Sequence, residues 1–106
     1  MTIDWYEHPE AREELLEAHA RYAGIDDGRL GEDFLIAVES AVDLITRWPE
    51  APPPYLGALR HPPIRALRLS RFPYHLVFAV IDGRIIVLAY AHDARRPGYW
   101  AGRIGR

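Results

Sequence analysis

The chain has 106 residues, 49% of them apolar, and no cysteine. That length suits one domain with a single modest core, and the lack of cysteine excludes disulfides, thiolate nucleophiles and cysteine-based zinc sites. A net charge of −2 argues against a generally basic nucleic-acid binder, and no run has the length of a membrane-spanning helix or the pattern of a signal peptide, so a cytoplasmic protein is expected.

Residues 2–7 alternate, with Ile3 and Trp5 on one side, which predicts a first strand. His8-Pro9-Glu10 ends it, and Pro9 is placed to begin a helix, where a missing N–H costs nothing. Ala11, Leu15, Ala18 and Tyr22 then recur at helical spacing, and Gly24 is a natural C-cap. Asp26-Asp27-Gly28 makes a short connection. In the second helix Leu30, Phe34, Ala37, Val38, Ala41, Ile45 and Trp48 step by three and four until Pro49 stops it. Two antiparallel helices joined this way share an apolar stripe that must cover something.

Six prolines between 49 and 63 forbid regular structure there; the segment reads equally as a functional loop or as a stiff spacer, with Glu50, Arg60 and His61 its only charged or titratable side chains. Residues 64–92 hold the strongest local signal. A strand beginning Ile64-Arg65-Ala66-Leu67-Arg68 is followed by two β-rich apolar runs, 72–81 and 84–92, joined by Asp82-Gly83 in the manner of a tight hairpin. The expected fold is a single α+β domain ordered β-α-α-β-β-β, with the helix hairpin on one face of a small, mainly antiparallel sheet.

A two-residue turn predicts that Ile81 pairs with Arg84, Ala79 with Ile86, Val77 with Leu88 and His75 with Tyr90. The other face, with Tyr74, Leu76, Phe78 and Val80 beside Ile85, Val87, Ala89 and Ala91, is uniformly apolar and belongs under the helices. That leaves Val77, Ala79, Ile86 and Leu88 as an apolar strip on an uncovered face, a surface that wants a partner. The tail from Ala94 is short and basic, and Tyr99 and Trp100 should pack back on the body.

Charge is divided along the chain. Residues 1–50 hold thirteen Asp/Glu against four Arg, whereas residues 51–106 hold two Asp against nine Arg, and there is no lysine. A GC-rich genome accounts for arginine in place of lysine, but codon bias does not sort charges along a chain. Arginine binds phosphate bidentately and stacks on bases, so the second half could meet RNA or an acidic partner. The five histidines are scattered, none at His-x-x-x-His spacing, and no glycine-rich phosphate loop or nucleophile elbow occurs, so neither a metal nor a cofactor is expected.

The run Arg71-Phe72-Pro73-Tyr74-His75-Leu76-Val77-Phe78, the Asp82-Gly83 turn and Ala91-His92-x-x-Arg95-x-Pro97-x-Tyr99-Trp100 resemble the RelE/ParE family, the toxins of bacterial type II toxin–antitoxin pairs. The resemblance extends more weakly over nearly the whole chain through its element order. It implies a toxin bound by its cognate antitoxin in a hetero-oligomer, with the antitoxin's C-terminal segment on the Val77, Ala79, Ile86 and Leu88 strip, and with no membrane partner. It further implies a metal-independent, ribosome-dependent endoribonuclease that cuts mRNA and blocks translation. The alternatives are a ParE-like inhibitor of DNA gyrase that works by binding, and a toxin fold without activity.

For cleavage, the 2′-OH of RNA attacks its own phosphate, which needs a proton acceptor, cations for the phosphorane and a proton donor. Candidate catalytic residues are His92, Arg68, Arg65, Tyr99 and Arg95, with Arg71, Arg96, His75 and Tyr90 as RNA or phosphate contacts. The resemblance makes His92 the leading general acid or base; otherwise it only caps its strand. His75 otherwise pairs across strands, and Arg95 in its Arg-x-Pro setting otherwise ties the tail to the acidic helices. One departure bears on this: RelE-type nucleases are strongly basic and lysine-rich, and this chain is neither.

Overall fold

A computed structural model describes residues 3–55 and 63–104. Strand β1 (Trp5–Glu7) is short, with Ile3 and Asp4 leading into it; Thr2, expected in this strand, lies outside the described residues. Helix α1 (Pro9–Ala23) starts on His8, whose Nδ1 accepts the Glu10 N–H at 3.1 Å, with Pro9 at the first helical position. Gly24 is its C-cap, as the spacing predicts. A 3₁₀ turn over Asp26–Gly28 leads into α2 (Arg29–Arg47). The two helices meet closely at Gly31, where a Cβ would lie 3.0 Å from the Ala23 Cα. Phe34, Val38, Ala41 and Ile45 of the α2 stripe are buried, but Trp48, expected to extend it, is 62% exposed at the C-cap.

Strands β2 (Ile64–Arg68), β3 (Tyr74–Ile81) and β4 (Arg84–His92) complete a four-stranded mixed sheet of order β1-β4-β3-β2, in which β1 runs parallel to β4 and the other pairs are antiparallel. Asp82 and Gly83 both take positive φ, 51° and 74°, the backbone a right-twisted two-residue hairpin requires. The proline-rich segment is less irregular than its composition suggests. Pro54 bridges Arg65, and the Tyr55 N–H donates to the Ile64 carbonyl at 2.6 Å, so Pro54 and Tyr55 line the outer edge of β2. Arg60 and His61 lie outside the described residues.

Near the turn the hairpin register is as predicted: Ile81 opposes Arg84 and Ala79 opposes Ile86. A β-bulge then intervenes. Phe78 opposes Val87 but Val77 opposes Ala89, so Leu88 is the extra residue, and the expected pairs Val77–Leu88 and His75–Tyr90 do not form. Tyr90 opposes Leu76 and His75 opposes Ala91 instead. One inserted residue exchanges the faces of everything beyond it. Tyr90 joins the helix-side core with Leu76, Phe78, Ile85 and Val87, while Ala89 and Ala91 move to the opposite face. Tyr22, Phe34, Phe72 and Tyr74 close one end of that helix-side core with ring centroids 5.0 to 6.3 Å apart. Each such ring, fully buried, contributes about 1.5–3 kcal/mol.

The opposite face is not uncovered. A second apolar cluster fills it, with Ile64, Val77, Ala79, Leu88, Ala89 and Ala91 beneath Trp100, and with Tyr55, Tyr99 and Ile104 against its rim. A 3₁₀ turn at Tyr99–Arg103 carries Trp100 onto the sheet, as the Tyr-Trp pair predicts. Val77, Ala79 and Leu88 are therefore buried in the fold, and of the predicted strip only Ile86 keeps partial exposure. The small side chains of Ala79, Ala89 and Ala91 leave the room that the indole occupies.

Candidate functional site

The far end of the sheet, where β4 meets the tail, is organised around a carboxylate. Glu14 lies on the buried side of α1, three residues after Ala11 and four before Ala18. Its Oε1 accepts the Tyr90 N–H at 3.1 Å and Arg103 Nη1 at 2.9 Å; its Oε2 accepts Arg103 Nη2 at 3.0 Å, Arg95 Nη1 at 3.1 Å and the Tyr99 hydroxyl. Arg103 is 7% exposed and also donates to the Leu88 carbonyl at 2.9 Å. The bulge residue's carbonyl is thus satisfied by the same guanidinium that closes the tail onto α1. Arg95 additionally stacks on the Tyr99 ring, 3.6 Å from its centroid. Part of the charge division in the sequence is accounted for here: tail arginines of the basic half meet carboxylates of the acidic half.

A second pair lies beside it. The Tyr90 hydroxyl donates to Glu7 at 2.6 Å, and Glu7 also meets Arg12 at 3.4 Å. Burial, and then the carboxylate each hydroxyl donates to, push the Tyr90 and Tyr99 phenols far above the ordinary tyrosine value. Both are held as neutral donors.

His92 is half-buried, and its Nδ1 accepts the Ala94 N–H at 3.0 Å, the strand-capping role. Its ring packs edge-on to Tyr74 at 5.0 Å. With Glu14, Glu17, Arg21, Tyr74, Tyr90 and Arg95 it lines a polar cleft of about 240 Å³ on the helix side of the sheet.

The remaining candidates stand elsewhere. Arg68 opposes His75 across β2 and β3, and Asp93 joins them: Arg68 Nη2 lies 2.9 Å from Asp93 Oδ2, and His75 Nδ1 lies 3.0 Å from Asp93 Oδ1. Burial works to raise the Asp93 carboxyl, but His75 and Arg68 outweigh it and hold it below the ordinary carboxylate range. Tyr55 stacks over His75 with centroids 6.4 Å apart. Arg65 donates to the carbonyls of Pro52 at 2.7 Å and Glu50 at 3.3 Å, pinning the proline segment. Arg71, at a φ of 74°, reaches Asp33 at 3.5 Å, and Arg96 is exposed.

The nine predicted residues therefore divide. His92, Tyr90, Arg95 and Tyr99 gather around Glu14, Arg68 and His75 around Asp93, and Arg65, Arg71 and Arg96 join neither group. Glu14, Glu7, Asp93, Arg103 and Tyr55 escaped the sequence reading. Glu14 had a legible signal: a carboxylate inside the Ala11–Leu15–Ala18 stripe is buried and needs a cation. Among the described residues no helix is long and apolar enough to cross a membrane.

No family model matches the chain, and no curated protein matches it. Among solved structures, a chain of the chromosomal ParDE TA system from P. aeruginosa superposes with a TM-score of 0.58, covering 86% of this chain and 96% of that one at 18% identity. The fold, two helices on a four-stranded mixed sheet, is ParE/RelE-like.

Proposed function

We propose that this chain is the toxin of a two-protein toxin–antitoxin pair, and that it acts by gripping a macromolecular target, DNA gyrase first among the candidates, instead of cutting RNA. The fold and its ParDE neighbour support the toxin role. The observation that carries the choice of mechanism is the occupation of the groups cleavage would use. The Tyr90 and Tyr99 hydroxyls already donate to carboxylates, Arg95 is bound by Glu14, and His92 Nδ1 caps the strand. A phosphate arriving there would meet Glu14 and Glu17 as well as the arginines, and a phosphorane is repelled by carboxylates.

One observation favours the ribosome-dependent nuclease as a second reading. His75 is oriented by Asp93 beside the exposed Arg68, an arrangement that suits a general base next to a phosphate contact. Under either reading an antitoxin segment would reach Ile86 directly and Val77, Ala79 and Leu88 only by displacing the Trp100 turn.

Two assays on one sample of the chain test the proposal: gyrase supercoiling, and primer extension on translated mRNA. Inhibited supercoiling with intact mRNA, insensitive to His92→Gln and His75→Gln, is the expected result. Codon-spaced cleavage that disappears in either variant would overturn it, and the variant that abolishes cleavage would identify the base. Unimpaired growth on induction of soluble protein would remove the toxin role itself.

A further inference from the structure

The two edges of the sheet are treated differently. The outer edge of β2 is lined by Pro54 and Tyr55, whereas β1 has no strand on its outer side among the described residues. Asp4, Tyr6 and His8 turn their main chains toward β4, since the Asp4 carbonyl accepts the Ile85 N–H at 2.9 Å and the His8 N–H donates to Val87 at 2.9 Å. Ile3, Trp5 and Glu7 must then turn theirs outward. Ile3 finds the Thr46 carbonyl at the end of α2, at 3.2 Å; Trp5 and Glu7 have no such backbone partner among the described residues.

A groove of about 520 Å³ opens along that edge, between β1 and α2. Its walls are mostly apolar: Trp5 on one side and Leu35, Val38 and Val42 on the other. Its charged members are mostly acidic, with Glu7, Glu39 and Asp43 against Arg12. Arg12 is matched by Glu7, and the Asp43 carboxylate has an exposed contact with Arg47 at 3.3 Å, which contributes little in water. Glu39 is exposed and has no ion-pair partner among the described residues. Trp5 remains 41% exposed, and Trp48 stands two residues beyond the groove-lining Thr46.

The geometry points to strand addition at this groove: an extended segment of a partner protein pairs with the outward main chain of Trp5 and Glu7, sets alternate apolar side chains against Leu35, Val38 and Val42, and carries Lys or Arg where it passes Glu39 and Asp43. An unpaired edge supplies directional hydrogen bonds to an extended backbone and none to a helix, which has no free donors along its length. The acid rim selects a basic segment over an acidic one. Neither Glu14 nor Asp93 lines this groove, which shares only Tyr90 with the cleft beside Glu14, and the inference does not depend on the toxin reading.

The test selects binders for the intact chain from a displayed library of random ten-residue peptides and maps a synthetic winner by amide chemical shifts. Expected are sequences with apolar residues at every second position flanked by Lys or Arg, and shifts concentrated at Trp5, Glu7 and Val42. N-methylating the two edge-facing peptide amides should weaken binding tenfold or more, because it removes the strand hydrogen bonds without touching the protein. The exposed charge reversals Glu39→Lys and Asp43→Lys together should weaken it roughly fivefold to tenfold. No enrichment, an acidic consensus, apolar spacing of three and four, indifference to N-methylation, or shifts on the Trp100 face would each overturn the proposal. So would concentration-dependent dimers of the free chain that perturb Trp5 and Glu7, since a second copy would then be the occupant.

Discussion

Glu14→Ala should be the most damaging single truncation of a charged side chain in this protein. The Glu14 and Arg103 side chains are 11% and 8% exposed, so the pair is largely out of water. Removing the carboxylate leaves the buried Arg103 guanidinium with the Leu88 carbonyl and a longer contact to the half-exposed Glu10, 3.8 Å from its Nε, leaves the Tyr99 hydroxyl and Tyr90 N–H without their acceptor, and frees Arg95. Breaking a buried pair from one side costs about 3–5 kcal/mol, a large share of a total stability of about 5–15 kcal/mol. At about 4–8 °C per kcal/mol for a domain of this size, the melting temperature should fall by roughly 12–40 °C. The reverse truncation is predicted to be milder. Arg103→Met leaves Glu14 with three donors and fills the space with a side chain of similar length, so the loss should be about 1–3 kcal/mol. The double variant Glu14→Leu/Arg103→Met should be more stable than Glu14→Ala, because no charge is then left unpaired. Urea unfolding followed by circular dichroism measures all three. The reasoning fails if Glu14→Ala loses less than about 0.5 kcal/mol, if Arg103→Met costs more than Glu14→Ala, or if the double variant is the sum of the two truncations.

Asp93 holds its proton less tightly in the fold than in the unfolded chain, so its contribution is present above the ordinary value of 3.8 and is lost as pH falls below it. The acid limb of a stability–pH curve should therefore be shallower in Asp93→Asn than in the parent. Tyr90 behaves oppositely: its raised phenol contributes fully below the ordinary value of 10.0, and the contribution declines as pH rises past it. Tyr90→Phe should cost about 1.5–3 kcal/mol at neutral pH through the lost bond to Glu7 and flatten the alkaline limb, and a variant within error of the parent would refute the pairing. Gly31→Leu should separate the helices, since even a Cβ meets the Ala23 main chain at 3.0 Å; unchanged stability in thermal denaturation would mean the helices pack differently.

Much of the fold was legible because its signals are local. The steps Ala11–Leu15–Ala18 and Phe34–Val38–Ala41–Ile45 specify helices with one buried side, Pro9 and Pro49 bracket them, and Asp82-Gly83 specifies the turn and the register next to it. The candidate site was legible in part. His92, Tyr90, Arg95 and Tyr99 gather at one end of the sheet, and Arg68 and His75 meet at Asp93, but the carboxylates of the larger group lie far off in sequence: Glu14 is 89 residues from Arg103 and Glu7 is 83 from Tyr90. A search for reactive side chains passes over carboxylates that only neutralise them.

The sequence by itself determined the element order, the helix hairpin, the tight turn and the return of Trp100 to the body. Only the tertiary structure decided which side of the far half of β4 faces the helices. From Ile85 to Ala91 every residue is apolar or aromatic, so either register presents an apolar face and periodicity cannot choose between them. The choice falls to contacts between distant segments. With the bulge at Leu88, the Tyr90 hydroxyl reaches Glu7, the Tyr90 N–H reaches Glu14, and Ala89 and Ala91 leave space for Trp100. The cover over the opposite face followed from the same step, because a sheet with alanines at those positions accepts an indole from its own tail.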